Sequence, residues 1–294
     1  MMDVDFIPIS RIDTHLHLSF QSDPSEQRPK LSTYREMVPH LAGLNICKGI
    51  VLPAGEMKAP LGCNASARAI AQEDPVHYAW MCNLDPVDPD TVYERLALYK
   101  RQGAVGIGEL MINKPLDDLF LETVFAAAGE LGLPITFHMS PEVGYSYGVV
   151  DAPGLPLLEQ ALRRFPKTVF VGHSGAFWAE MSGDAPTDRD QRNGYPKGPV
   201  IPGGRIPALF EKYPNLYGDL SATSGGNAIM RDEAFGLAFL EQFHDRLFFA
   251  TDMFNTGMTF PLGAWLDNMA AQGKLSMTAY HNICRENAAR IYGV

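Results

Sequence analysis

Eight short apolar segments alternate with segments of helical pattern along the 294 residues of the chain. They recur about every thirty residues, which is the length of one strand–helix unit. Each segment is almost continuously apolar, as expected of parallel strands that are buried on both faces. The eight predicted strands span residues 12–18, 48–53, 78–84, 104–110, 134–139, 168–173, 215–221 and 246–252. This order of elements predicts an α/β protein with a parallel sheet.

Eight strand–helix units can close into a (β/α)8 barrel, the TIM barrel, which commonly takes about 250 residues. The alternative is an open, doubly wound sheet. Such a sheet usually carries a glycine-rich phosphate-binding turn after its first strand, whereas residues 19–30 here are polar and loop-like. No change of composition marks an internal boundary. We therefore predict a single barrel domain over residues 1–294.

The predicted strands end in polar residues that suit a metal centre. In barrels of this kind the active site lies at the C-terminal ends of the strands. The residues at these ends are His15 and His17 on the first strand, Glu109 on the fourth, His138 on the fifth, His173 on the sixth and Asp252 on the eighth. Side chains alternate along a strand, so His15 and His17 point the same way. Imidazoles and carboxylates bind divalent ions, and a buried charge without a partner is costly.

Strand alternation also predicts what lies beneath these groups. Apolar residues fall two and four positions earlier: Val171 and Val169 below His173, Ile107 and Val105 below Glu109, and Ala250 and Phe248 below Asp252. Each polar group would then cap an apolar column inside the barrel. Two structural alternatives remain at this stage. One of the first-strand histidines is a satisfied core residue, or Glu109 is a salt-bridged structural carboxylate.

The composition of the chain indicates which binding partners and which cellular compartment to expect. The net charge of -10 argues against a nonspecific surface for polyanions, although bound cations could offset carboxylates in a metal-dependent nuclease. There is no basic stretch followed by an apolar one at the start, and no apolar run of about 18 residues to span a membrane. The four cysteines are dispersed, as in a reduced protein. We predict a cytoplasmic protein without nucleic-acid or membrane partners, and homo-oligomer formation is left open.

Taken together, these residues resemble the amidohydrolase superfamily, in its amidohydrolase-related (amidohydrolase 2) branch of TIM-barrel metal-dependent hydrolases. The resemblance runs the whole length and includes 133–138 (LPITFH), 215–221 (NLYGDLS), 249–252 (FATD) and 286–293 (ENAARIYG). The stretch 106–109 (GIGE) also resembles the TatD-type deoxyribonucleases. The segment 251–254 (TDMF) departs from the usual pattern of those nucleases, which makes that assignment the weaker one.

The resemblance implies a ligand set and a mechanism. His15, His17 and Asp252 would bind one metal ion, His138 and His173 a second, and Glu109 would bridge them. Zinc is the expected metal, with manganese, iron or nickel as alternatives and one or two ions per chain. Asp252 would take a proton from the activated water and pass it to the leaving group. If only one ion is present, His173 would instead orient the water or the substrate.

The predicted activity is hydrolysis of a small amide, lactone or ester. The alternative is a metal-dependent decarboxylase of a small carboxylic acid, since the same branch includes such lyases, and a nuclease is less favoured. Candidate substrate-binding residues come from the loops after the fifth and sixth strands: Tyr145, Tyr147, Arg192, Tyr195, Lys197 and Arg205. The long segment 182–204 suits a lid or specificity element. Asp219 either orients a neighbouring side chain or faces the pocket.

Overall fold

The computed structural model describes residues 6–22 and 29–294 of the chain, so the start and part of the predicted loop at 19–30 lie outside the description. Within the described residues the strands are β1 (Arg11–Leu16), β2 (Ile46–Val51), β3 (Tyr78–Trp80), β4 (Ile107–Leu110), β5 (Ile135–Ser140), β6 (Val149–Val150), β7 (Phe170–His173), β8 (Leu216–Asp219) and β9 (Leu247–Phe248). All strand pairs are parallel.

Helices follow the strands around the outside. The described α-helices are α1 (Tyr34–Gly43), α2 (Asn64–Glu73), α3 (Val92–Arg101), α4 (Leu119–Leu131), α5 (Pro156–Arg164), α6 (Gly175–Trp178), α7 (Arg189–Arg192), α8 (Arg205–Lys212), α9 (Ala222–Met230), α10 (Glu233–Phe243), α11 (Leu262–Ala271), α12 (Met277–His281) and α13 (Asn287–Tyr292). Local chemistry sets several of their ends. Thr33 and Glu36 form a reciprocal capping box at the start of α1. Gly132 ends α4 in the left-handed conformation.

Eight of the strands close into a barrel. They form two arcs, β1-β2-β3 and β4-β5-β7-β8-β9, while the short β6 only adds to β5. Backbone hydrogen bonds join the arcs on one side, where the Gly108 amide donates to the Cys82 carbonyl at 2.9 Å. On the other side the Asp252 amide donates to the His15 carbonyl at 2.9 Å. The predicted TIM barrel is therefore confirmed.

Two hydrophobic clusters fill the molecule. The larger one lies between the strands and the helices. The smaller one fills the barrel interior and takes its members from the strands and from α13: Ile12, Ile50, Leu52, Ala79, Met81, Val171, Tyr217, Phe248, Ala288 and Tyr292. Ile12 lies near the start of β1, and the Phe248 ring packs against that of Tyr292 at 5.3 Å, so α13 closes the N-terminal end of the barrel. The opposite end is left for polar groups.

Several observed strands are shorter than the predicted ones, such as β3, which ends at Trp80. The helices α9 and α10 are separate, and α10 begins at Glu233 because the Asp232 side chain caps it by accepting from the Phe235 amide. The predicted strand 246–252 is regular only at Leu247–Phe248. Beyond that point the Phe249 amide donates to the Ile283 carbonyl at 2.8 Å, outside the sheet.

Two further expectations concern features that were predicted to be absent. Among the described residues, no helix is both long enough and apolar enough to cross a membrane. The four cysteines all lie in the described part of the chain and are free thiols. A cytoplasmic location stays a prediction.

Candidate metal centre and its cavity

Irregular strand pairing sets the direction of the first-strand histidines. The register of β1 against β2 shifts between Asp13 and Leu16. Ile12 accordingly belongs to the inner cluster and Leu16 to the outer one, although both occupy even positions. His15 and His17 converge at the metal end, with their Nε2 atoms 3.2 Å apart. The shift is what allows both imidazoles to reach the barrel axis.

Asp13 does not join these histidines. One of its carboxylate oxygens accepts hydrogen bonds from the amides of His15 and Thr251, both at 3.0 Å. The other accepts from the Thr251 hydroxyl at 2.6 Å. Burial raises the pKa of Asp13 to about 7, against these hydrogen bonds. Asp13 therefore fastens β1 to the segment that carries Asp252.

The predicted columns beneath the polar groups hold only in part. Val171 and Val169 do pack in the inner cluster beneath His173. Ile107 belongs to the outer cluster, so its predicted place below Glu109 is wrong. The register of β4 against β5 shifts between Ile107 and Leu110. This irregularity breaks the simple alternation just before Glu109 and still leaves its side chain at the centre.

Hydrogen bonds orient each first-strand imidazole. The Nδ1 atom of His15 lies 2.6 Å from Oδ2 of Asp219. The Nδ1 atom of His17 lies 2.7 Å from the Leu52 carbonyl oxygen and must donate to it. In both rings Nε2 is thus left as the free donor atom for an ion. Asp219, whose role the sequence left open, orients His15.

Glu109 lies between two pairs of imidazoles. Its Oε2 atom is 3.4 Å from Nε2 of His17 and 3.7 Å from Nε2 of His15. Its Oε1 atom is 2.7 Å from Nδ1 of His138 and 3.5 Å from Nε2 of His173. Each oxygen of the carboxylate therefore faces its own pair of histidines.

Asp252 completes the ring of donors. Its Oδ1 atom lies 3.3 Å from Nε2 of His17 and 3.5 Å from Nε2 of His15. Its Oδ2 atom lies 3.7 Å from Nε2 of His173. Asp252 has a φ of 59°, in the left-handed region that non-glycine residues seldom adopt and that clusters at functional sites.

Ser221 is a site residue that the sequence did not single out. Its hydroxyl is hydrogen-bonded to Nδ1 of His173 at 2.9 Å. This contact leaves Nε2 of His173 facing Glu109 and Asp252. The only sequence signal for Ser221 is its place at the end of the seventh predicted strand, two residues after Asp219.

The donor set fits a divalent metal ion. Ligands that bind one ion tetrahedrally at about 2.0–2.2 Å lie about 3.3–3.6 Å apart. The donor atoms of His15, His17 and Glu109 lie 3.2 to 3.7 Å apart, and Asp252 lies 3.3 and 3.5 Å from the two histidines. Burial raises the pKa of Glu109, but the imidazoles of His138, His15 and His17 together outweigh burial and hold that pKa well below its usual range. Glu109 is therefore charged, as a metal ligand must be.

A cavity of about 490 Å³ opens directly onto this centre. Its polar lining consists of His17, Glu109, Asp252 and Tyr147. The remaining described residues that line it are apolar: Pro29, Ala54, Ala59, Pro60, Leu61, Met111 and Phe254. The cavity falls within the size range of small-molecule sites.

Of the two tyrosines proposed from the loop after β5, only Tyr147 lies at the centre. Its ring centroid is 4.3 Å from that of His138. Burial raises the pKa of Tyr147 to about 12, together with the charges of Glu109 and Asp252. Tyr145 instead lies under the guanidinium of Arg189, at 5.4 Å, and does not line the cavity. Substrate binding by Tyr145 stays a prediction, and Tyr147 is the tyrosine of this loop that lines the cavity.

The structure places the predicted arginines away from the cavity. Arg192 is 2% exposed and donates to the carbonyls of Pro141 and Asp151, at 3.2 and 3.1 Å. Arg205 pairs with Glu159 and donates to the Gly154 carbonyl at 2.7 Å. Both hold loops together and lie outside the cavity lining, so substrate binding by either arginine stays a prediction. Among the described cavity-lining residues there is no Lys or Arg.

The segment 182–204 contributes less than predicted. Lys197 is exposed, and it does not line the cavity. Tyr195 is half exposed, and its pKa is raised by burial and by the charge of Asp252. Tyr195 too is outside the cavity lining.

The family follows from a match over almost the whole chain. A sequence model of the amidohydrolase family matches residues 12–294. The chain belongs to the amidohydrolase family. Members of this family are metal-dependent enzymes and include hydrolases and decarboxylases. A comparison with the curated proteins finds no match.

Solved structures of similar fold extend the comparison. An uncharacterized TIM-barrel protein from Bordetella bronchiseptica is 16% identical, with a TM-score of 0.62 over 96% of this chain and 98% of that one. A probable 2-pyrone-4,6-dicarboxylic acid hydrolase from Acinetobacter baumannii is 15% identical, with a TM-score of 0.59 over 97% and 100%. A manganese-bound 5-carboxyvanillate decarboxylase from Novosphingobium aromaticivorans is 14% identical, with a TM-score of 0.59 over 97% of both chains. At these identities the likeness of this chain to them shows the shared fold.

Proposed function

We propose that this amidohydrolase hydrolyses a small-molecule ester, lactone or amide at a centre of two divalent ions. One observation carries the proposal: the two oxygens of Glu109 face separate pairs of histidines. His15, His17 and Asp252 with one oxygen of Glu109 would hold the first ion. His138 and His173 with the other oxygen would hold the second. Zinc is the expected metal.

The chain's own residues would divide the chemistry as follows. Divalent ions at this centre supply Lewis acidity, which lowers the pKa of water and polarises the substrate carbonyl. Asp252 faces the cavity and would accept the proton of the water that adds to the acyl carbon. As the bond from that carbon to the alkoxide or amine breaks, Asp252 would return the proton to the leaving group. His173, held at Nδ1 by Ser221, would keep its Nε2 atom directed at the second ion.

A metal titration combined with an activity screen tests this function. We expect about two equivalents of zinc or manganese per chain, and hydrolysis of some members of a panel of esters, lactones and amides. Glu109→Gln should bind about one equivalent less and lose turnover. Two results would contradict the proposal: no divalent metal bound on reconstitution, or a metal-replete protein that hydrolyses nothing on the panel.

A decarboxylase is the second candidate. The 2.7 Å contact between His138 and Glu109 supports it, because a hydrogen bond there would leave Glu109 to a single ion. A manganese-bound decarboxylase is also among the proteins of similar fold. Carbon dioxide release from a panel of aromatic and unsaturated acids, with one equivalent of metal per chain, would favour this reading over hydrolysis.

A further inference from the structure

One wall of the cavity is an apolar loop between β2 and α2. Ala54, Ala59, Pro60 and Leu61 of this loop line the cavity. Met111 and Phe254 also line it. A substrate whose reacting carbonyl lies at Glu109 and Asp252 must therefore place the rest of its acyl group against carbon atoms.

Hydrogen bonds to the side chain of Glu56 anchor this loop to the rest of the protein. The side chain of Glu56, which is buried, accepts hydrogen bonds from the Arg95 guanidinium, the Tyr99 hydroxyl and the Asp85 amide. Within the loop, the Ala54 amide donates to the Gly62 carbonyl at 3.2 Å. A loop with these anchors presents a fixed surface, so its side chains rather than its movement set what fits.

We infer that the acyl group of the substrate is apolar and uncharged, and that Leu61 is a specificity-determining residue. This inference rests on the proposed hydrolase function. A carboxylate on the distal part of the acyl group would lose its hydration against the loop. Among the described residues that line the cavity, no Lys or Arg is present to pair with it. An aromatic or aliphatic group would instead gain from burial in the same place.

Binding of two probes tests the inference without relying on turnover. Benzohydroxamate and 4-carboxybenzohydroxamate share a metal-binding group and differ by one distal carboxylate. We expect the metal-replete protein to bind the neutral probe at least about tenfold more tightly, as measured by calorimetry. In Leu61→Arg the added cation can pair with the distal carboxylate, so this preference should fall by at least about tenfold.

Met57→Arg is the matched control. Met57 lies on the same loop, is 75% exposed and does not line the cavity. Met57→Arg adds the same charge outside the cavity, so the wild-type preference for the neutral probe should remain. The inference is overturned if the wild-type protein binds the carboxylated probe as tightly as the neutral one, or binds neither.

Turnover recorded in parallel separates the two proposals. A protein that prefers the neutral probe but hydrolyses no ester, lactone or amide supports the inferred cavity and contradicts the hydrolase function. A protein that hydrolyses esters and shows no preference between the probes contradicts the inference alone.

Discussion

Asp252 is the residue at which metal binding and proton transfer can be separated. Asp252→Asn keeps the shape and one oxygen at the positions that face His15, His17 and His173. We expect the variant to fold, to retain most of its metal, and to lose kcat by about a hundred- to ten-thousand-fold, because a general base is removed. KM should change little. Steady-state kinetics with metal analysis measures this.

The control for this variant is Asp245→Asn, which removes an exposed carboxylate far from the centre. It should have wild-type kinetics. Near-normal turnover of Asp252→Asn would show that another group accepts the proton, and loss of its metal would assign Asp252 a purely ligating role.

The tyrosine pair after β5 gives a second prediction at the residue scale. Tyr147→Phe keeps the ring on His138 and removes the hydroxyl that lines the cavity. One lost hydrogen bond to substrate should lower kcat/KM by up to about tenfold. Tyr145→Phe is the matched control, since Tyr145 packs on Arg189 outside the cavity. Equal effects of the two substitutions would contradict the assignment of Tyr147.

At the scale of elements, the Glu56–Arg95 pair joins the β2–α2 loop to α3. The two side chains are 8% and 18% exposed, so Arg95→Met leaves a buried carboxylate short of a partner. We expect the free energy of unfolding to fall by about 2 kcal/mol, and KM to rise as the cavity wall loosens. Urea denaturation and steady-state kinetics measure the two effects.

Arg35→Met serves as the comparison, because Arg35 and Glu73 are 70% and 54% exposed. Loss of that exposed pair should cost about 0.5 kcal/mol or less and leave KM unchanged. If both substitutions destabilise the protein equally, the buried pair has no special part in holding the loop.

At the scale of the whole molecule, the barrel and the candidate ligands followed from the sequence for one reason. The C-terminal ends of parallel strands meet at one end of a barrel, so His138 and His173 could be assigned to a common site without knowing any contact. The regular alternation of apolar strands and helices predicted the barrel itself.

The features that the sequence left open or predicted wrongly depend on contacts between distant residues. The bond between His15 and Asp219 joins positions 204 residues apart, and no local pattern specifies it. The same holds for Arg192, whose charge suggested a substrate contact until its burial beneath Pro141 and Asp151 was known. The misplaced Ile107 has a different cause, since a register shift is invisible to an argument from alternation.

The closure of the barrel between β1 and the Asp252 segment also bears on how the protein is made. His15 leaves the ribosome 237 residues before Asp252, which corresponds to about 10 to 50 s of synthesis. Until then the strand that carries the two histidines has no partner on one edge, and the ring of donors lacks Asp252. Nascent chains therefore cannot assemble the full set of candidate ligands, and the proposed centre can be completed only after translation has passed the last barrel strand.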